Sequence, residues 1–182
     1  MPAISVFCSG AGTNLQALID AGCDIRQVIC NRECQAAKRA ERAGIPTLIT
    51  SAVSPTDVDP QVELIVLAGY LKILPPQFVA TFAGKIINTH PALLPRYGGK
   101  GMFGLHVHQA VLEAKEKESG CSVHLVTDQV DGGRVLAQRK VPVLPDDTPR
   151  SLQERVISQE HQLLVEIVKN WDKYCPKEKR KY

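Results

Sequence analysis

Residues 62–68 read VELIVLA, and after Glu63 the run holds no polar side chain. A strand without polar alternation is buried on both faces, and such strands belong to parallel sheets covered by helices. The flanking sequence fits that plan. Residues 4–8 form a short apolar strand, followed by a helix with Leu15, Leu18 and Ile19 on one face that ends near Gly22. Residues 28–30 and 47–49 read as strands, separated by an Ala-rich helix over 35–43 that Gly44-Ile45-Pro46 stops. Residues 50–61, broken by Pro55 and Pro60, show little periodicity. Pro75-Pro76 opens a short helix through Phe82, and residues 85–90 are the next strand. Val107, Ala110, Val111 and Ala114 make a helical stripe, with Glu113 and Lys117 spaced as an i,i+4 pair. Residues 122–127 and 135–143 are two more strands. The last helix starts at Thr148-Pro149, or at Ser151 with Glu154 as a capping box, and Leu152, Val156, Leu163, Ile167 and Trp171 mark its inner face. The pattern predicts an α/β fold with a mainly parallel sheet, mixed where the later strands join it.

Length and charge narrow the function classes. At 182 residues, 44% hydrophobic and 23% charged, the chain suits one domain, expected over residues 1–172. Net charge is +3, and Lys173, Lys177, Lys179, Arg180 and Lys181 crowd a basic C-terminal tail at 173–182. The body before that tail has no basic excess, which argues against a nucleic-acid surface. No apolar run reaches the roughly 20 residues of a membrane span. The N-terminus, MPAISVFCSG, lacks the basic and long apolar regions of a secretion signal. Cysteines at positions 8, 23, 30, 34, 121 and 175 show no framework spacing. Cys30 and Cys34 have no second pair to complete the roughly four ligands of a zinc site, so reduced thiols in a cytoplasmic protein are expected.

Reactive side chains concentrate in residues 86–111, IINTHPALLPRYGGKGMFGLHVHQAV. Alternation puts Asn88 and His90 on one side of an extended chain. Pro91 bars His90 from the helical region, so the strand is expected to stop there with both side chains at the sheet edge. Pro95 and glycines at 98, 99, 101 and 104 keep the following backbone irregular. An amide donor beside an imidazole is suited to a developing oxyanion, although a lone strand histidine is as often a satisfied core group.

Three other positions compete with ordinary packing roles. Ser9-Gly10-Ala11-Gly12-Thr13-Asn14 joins the first strand to the first helix, where backbone N–H groups bind phosphate; the alternative is a plain tight turn. GAGTNL lacks the third glycine of a dinucleotide fingerprint, and Asn31 stands where a ribose-binding acid is expected. Asp131 lies in a turn-forming loop and reaches His90 if strand C-terminal ends gather along one edge, where it would favour the imidazolium. Its alternative is a turn aspartate bonded to its own backbone. Glu160 falls on the face that Val156 and Leu163 should pack, so it must meet a pocket rim, a buried base or a ligand hydroxyl. His106 and His108 form an HxH pair without a neighbouring acid or cysteine, and no metal is expected.

These residues carry a resemblance. The run Asn88-Thr89-His90-Pro91-Ala92-Leu93-Leu94-Pro95, with Asp131-Gly132-Gly133 downstream and Ser9-Gly10-Ala11-Gly12-Thr13-Asn14-Leu15-Gln16-Ala17 at the start, resembles the phosphoribosylglycinamide formyltransferases. The likeness covers about residues 4–171. It implies a Rossmann-like three-layer α/β/α formyltransferase fold. The implied activity moves the formyl group of 10-formyltetrahydrofolate to the amine of glycinamide ribonucleotide, in de novo purine biosynthesis. Asn88, His90 and Asp131 match the catalytic trio, Gly12, Thr13 and Asn14 the phosphate loop, and Glu160 the ribose contact. Leu71, Lys72, Ile73 and Leu74, with Asn88, Thr127, Asp128, Gln129 and Val130, match the folate-binding segments. The partners implied are the ribonucleotide and the formylfolate co-substrate, with no metal, nucleic acid or membrane. Nothing in the sequence bears on oligomeric state.

Position 72, usually Arg in that family, is Lys here, which keeps the charge but loses the planar fork. Segment 50–63 is shorter than the family's and holds no Lys or Arg, while Gly99-Lys100-Gly101-Met102-Phe103 lengthens the loop beside the site. The mechanism expected is direct acyl transfer through a tetrahedral intermediate, with imidazolium His90 and the Asn88 amide holding the oxyanion and Asp131 keeping His90 protonated. The alternatives are another folate-dependent formyltransferase, a formyltetrahydrofolate deformylase, or a phosphate-binding module without catalysis. A methionyl-tRNA formyltransferase would need a further C-terminal RNA-binding domain, and a deformylase an extra N-terminal one. Here the first strand begins at Ile4 and the chain ends soon after the last helix.

Overall fold

The structure, a computed structural model, describes residues 1–175. Its strands are β1 (Ile4–Cys8), β2 (Ile25–Cys30), β3 (Thr47–Ile49), β4 (Leu64–Leu67), β5 (Ile86–His90), β6 (Glu118–Leu125) and β7 (Val135–Pro142). They form one sheet in the order β3-β2-β1-β4-β5-β6-β7. The first five strands run parallel, and β6 and β7 extend the sheet antiparallel. The strand order reverses between β1 and β4, the switch point at which open α/β sheets leave a crevice.

The helices are α1 (Thr13–Asp20), α2 (Gln35–Arg42), α3 (Pro76–Thr81), α4 (Leu105–Glu113), α5 (Pro149–Lys169) and α6 (Trp171–Tyr174). Strand alternation sorts the core into two layers of contact. Val6, Val28, Val66 and Ile87 pack with Leu15, Ala36, Val111, Leu152 and Leu164, so α1, α2, α4 and α5 cover one face. Phe7, Ile29, Ile65, Leu67 and Ile86 pack with Phe78 and Val79 of α3 and with Val53 and Val58 on the other. This is the three-layer arrangement expected, and each fully buried Leu, Ile or Phe side chain contributes roughly 1.5–3 kcal/mol to it.

Several local expectations need correction. β2 and β6 begin earlier than read, at Ile25 and Glu118. Residues 50–61 contain only a 3₁₀ turn at Pro55–Asp57. Glu113 is the last residue of α4, so Lys117 is off the helix and Glu113 instead accepts from Gln109 Nε2 at 2.7 Å. Thr148 caps α5 together with Ser151, in place of the Ser151–Glu154 box. At the C-terminal end of the described residues Trp171 of α6 is buried, Tyr174 packs on the same core, and Arg134 donates to the Tyr174 carbonyl at 3.3 Å. Residues 176–182 of the expected tail lie outside the described residues.

Candidate active site

The site gathers where β1, β4 and β5 end. Ser9, just beyond β1, donates from its N–H to the Gly69 carbonyl at 3.1 Å, and its hydroxyl accepts from the Leu71 N–H at 2.8 Å. These bonds fix the loop after β4 against the loop after β1. β5 stops at His90, and its alternation sends Asn88 and His90 to one side and Thr89 to the other. The loop beyond Pro91 is held by buried Ser122, whose hydroxyl donates to the Ala92 carbonyl at 2.6 Å and accepts from the Leu94 N–H at 3.0 Å.

Asp131 does meet His90, though by a route the sequence reading did not foresee. β6 is antiparallel to β5, with Leu125 opposite Ile87, so β6 ends about three residues, roughly 10 Å, from His90. The β6–β7 loop folds back across the sheet face and brings an Asp131 Oδ2 to 3.6 Å from His90 Nδ1. The same carboxylate accepts from the Gly99 N–H at 2.9 Å and has its other oxygen 3.4 Å from His124 Nε2. Asp131 is therefore bonded across loops, not to its own turn. Its backbone is left-handed, with φ 52°.

His124 is the residue that sequence reasoning missed. Strand register sets it directly opposite Asn88, and Asn88 Nδ2 lies 3.1 Å from His124 Nε2. His124 Nδ1 donates to the Leu125 carbonyl at 2.9 Å, which leaves Nε2 between the Asn88 amide and the Asp131 carboxylate. His124 thus orients the amide while touching Asp131. Its one sequence signal is a histidine inside the strand read over residues 122–127, SVHLVT.

His90 is 4% exposed, and its Nε2–H donates to the Tyr97 carbonyl at 2.7 Å. Burial pushes the His90 pKa below its usual value and outweighs the Tyr97 carbonyl and the Asp131 carboxylate, which pull it up. Burial opposes ionisation of Asp131 too, but the His124 contact, the Gly99 N–H and the His90 ring together hold its pKa below the ordinary carboxylate range. The two directions do not describe a fully formed ion pair. At 3.6 Å the contact is loose, and the state that fits both is an ionised Asp131 beside a neutral His90 at neutral pH.

Glu160, on α5, is 6% exposed and meets no base. One of its oxygens accepts from Thr89 Oγ1 at 2.8 Å and from Asn14 Nδ2 at 3.1 Å, while burial raises its pKa. It lines a cavity wall. Through it, Asn14 at the start of α1 is joined to Thr89, the residue between Asn88 and His90. Gly12, with φ 71°, precedes α1 without any side-chain cap, and a Cβ there would come within 2.7 Å of Ala36 Cα. The close approach of α2, like the left-handed backbone, requires glycine. The buried Asn14 Oδ1 has no hydrogen-bond partner among the described residues.

Two cavities open side by side. The smaller, about 210 Å³, brings together all the expected folate positions, Leu71, Lys72, Ile73, Leu74, Asn88, Thr127, Asp128, Gln129 and Val130, with His124 at its wall. The larger, about 430 Å³, is lined by His90, Glu160 and the Gly-rich loop, including Lys100 and Phe103. Asn88 and Asp131 line both, as do Leu71, Ile73 and Val130 and also Tyr70, which sequence reasoning passed over. Gly12 and Thr13 line neither and connect to the larger cavity through Asn14 and Glu160. Lys72 donates to the Ser51 carbonyl, so its charge is tied to the short 50–63 segment. His106 stacks edge-on to Phe103, while His108 is buried in α4, its pKa pushed down to about 4 by burial and by His90. Among the described residues no group of three His, Cys, Asp or Glu side chains is placed to hold a metal ion, and no helix is long and apolar enough to cross a membrane.

A switch-point crevice with an amide, an imidazole and a carboxylate at its wall defines a class, and comparison identifies it. Residues 3–168 match the formyl transferase family, and the chain belongs to it. Within that family it is 40% identical to phosphoribosylglycinamide formyltransferase of Escherichia coli, over 92% of this chain and 85% of that protein. The corresponding chloroplastic protein of Arabidopsis thaliana is also 40% identical, over 91% of this chain, which spans 63% of that protein's length. The crystal structure of phosphoribosylglycinamide formyltransferase from Coxiella burnetii, in complex with CHES, superposes with a TM-score of 0.82 at 41% identity, covering 92% of this chain and 86% of that one.

Proposed function

We propose that the chain transfers the formyl group of 10-formyltetrahydrofolate to the amine of glycinamide ribonucleotide by direct acyl transfer. The observation that carries this reading is the shared wall: Asn88 and Asp131 line both cavities, so a carbonyl held in one and an amine held in the other meet beside them. The bound folate supplies the formyl carbon. Asn88 donates from its amide to the oxygen that gains charge under attack. His90, neutral in the free protein, takes up a proton as that charge develops, because a neighbouring anion and Asp131 both favour the imidazolium. Asp131 takes the proton that the attacking amine loses and passes it, through water, to N10 of the folate, which departs as the bond between N10 and the formyl carbon breaks. Gly12, Thr13 and Asn14 hold the phosphate at the start of α1, Glu160 accepts from ribose hydroxyls, and the two together supply orientation. Leu71, Lys72, Ile73 and Leu74 with Thr127, Asp128, Gln129 and Val130 hold the pterin by backbone and apolar contact. The activity belongs to the cytoplasm on this reading, supported by Cys8, Cys23, Cys30, Cys34 and Cys121, which form no disulfide; fractionation that finds the protein elsewhere overturns that part.

The test is incubation with both substrates, following the deformylated folate. Release that requires the amine supports the reading. Release by water alone points to a deformylase, and no release under either condition removes the proposal.

A further inference from the structure

Tyr97 links a carboxylate at the molecule's surface to the imidazole of His90. Its carbonyl accepts the His90 Nε2–H at 2.7 Å, and its φ is 57°, a left-handed conformation that residues with a Cβ avoid. Something beyond local preference therefore holds it. The phenol donates to Glu116 Oε1 at 2.7 Å. Arg96 pairs with the same carboxylate oxygen, and its guanidinium carbon lies 5.5 Å from the centre of the Tyr97 ring. Glu116 is anchored in turn: it follows the end of α4, and its N–H donates to the Val111 carbonyl at 3.3 Å.

We propose that Tyr97 and Glu116 are positioning residues that set the tautomer of His90, holding its proton on Nε2 so that Nδ1 is the nitrogen left to take up and release a proton. A neutral imidazole carries one N–H, and two acceptors compete for it here. The Tyr97 carbonyl stands at 2.7 Å from Nε2, and Asp131 Oδ2 at 3.6 Å from Nδ1. The shorter bond decides, so long as the carbonyl stays where the Tyr97–Glu116 contact keeps it. Released from that contact, the Tyr97 backbone leaves the left-handed region and the carbonyl turns away. Asp131 is then the remaining acceptor, the proton moves to Nδ1, and the nitrogen facing the carboxylate can no longer accept one. The role in turnover rests on the formyl-transfer reading; the tautomer does not.

Nitrogen NMR of His90, at a pH where the ring is neutral, reads the tautomer directly and needs no substrate. The ionisable groups around the ring are Asp131, His124 and His108, and none is altered by the variants. The parent protein is expected to show the proton on Nε2. Tyr97→Phe and Glu116→Ala should each move it to Nδ1 and lower kcat about tenfold, with both KM values within about twofold. Combining them should cost no more than either alone. Tyr97→Gly lacks the phenol but accepts a positive φ without strain, so its carbonyl should stay in place and the proton should remain on Nε2, unlike Tyr97→Phe. Glu116→Gln keeps an acceptor for the phenol and should restore both tautomer and rate. If folded Tyr97→Phe or Glu116→Ala protein keeps the proton on Nε2, the proposal is overturned. A tautomer that moves in a protein with no formyl transfer at all would leave the positioning intact and remove the functional reading instead.

Discussion

The two cavities share a wall at Asn88 and Asp131 and an apolar rim, with Leu71 54%, Ile73 72% and Val130 46% exposed, but differ in what each adds. The larger has a polar floor: Glu160, His90 and Thr89 are almost wholly buried, and each is fixed by a specific hydrogen bond. The smaller adds an apolar wall, Leu67, Leu74, Val79 and Val126, and the loop over residues 127–129. A buried polar group is costly unless its partners are in place, so the first region tolerates little change and discriminates sharply. The second offers an apolar wall and loop backbone, which bind a flat ring without demanding any one side chain. The lesson is that chemistry and specificity sit with the buried network, and affinity with the rim.

The largest effect expected comes from the shared wall. His90→Ala and Asp131→Asn should each lower kcat by roughly 10²–10⁴-fold with KM values little changed; near-normal turnover in either would break the contrast at its centre. Next is acid sensitivity, which should belong to the polar side. Burial depresses the pKa of His108 from 6.5 to about 4, and His90 shifts the same way. The unfolded chain then binds protons first, so this stability is complete above pH 6.5 and is lost as pH falls towards 4, amounting to about 3 kcal/mol for His108. Urea unfolding at pH 7 and pH 4.5 measures it, and His108→Leu should flatten the difference; an unchanged slope would assign the acid sensitivity elsewhere. Glu160→Gln keeps an acceptor for Thr89 and Asn14 but removes the charge, and should raise KM for the ribonucleotide about tenfold while sparing the folate. Smallest are Leu71→Ala and Ile73→Ala, each expected to raise KM for the folate about two- to fivefold through lost apolar contact. A rim effect as large as that of Glu160→Gln would erase the distinction between the cavities.

Legibility followed how local the signal was. β1, β4 and β5 could be read because an apolar run and the proline after His90 are local facts. Asn88 and His90 could be put on one side because strand alternation is local too. Asp131 was expected at His90 on the assumption that its strand ended at the same edge, and it arrives by a loop folding back from an antiparallel strand. His124 escaped notice because only strand register pairs it with Asn88. Tyr97 escaped because a backbone carbonyl has no sequence signature.

By itself the sequence determined the periodicities, the glycine and proline stops, the placement of Asn88 beside His90, and the presence of a carboxylate at Glu160 too costly to bury alone. Tertiary structure decided which partners those groups met: Thr89 and Asn14 for Glu160, Tyr97 for His90, His124 and Gly99 for Asp131. It also decided the protonation of His90, since burial depends on every element packed around the ring and outweighs the single carboxylate the sequence could name.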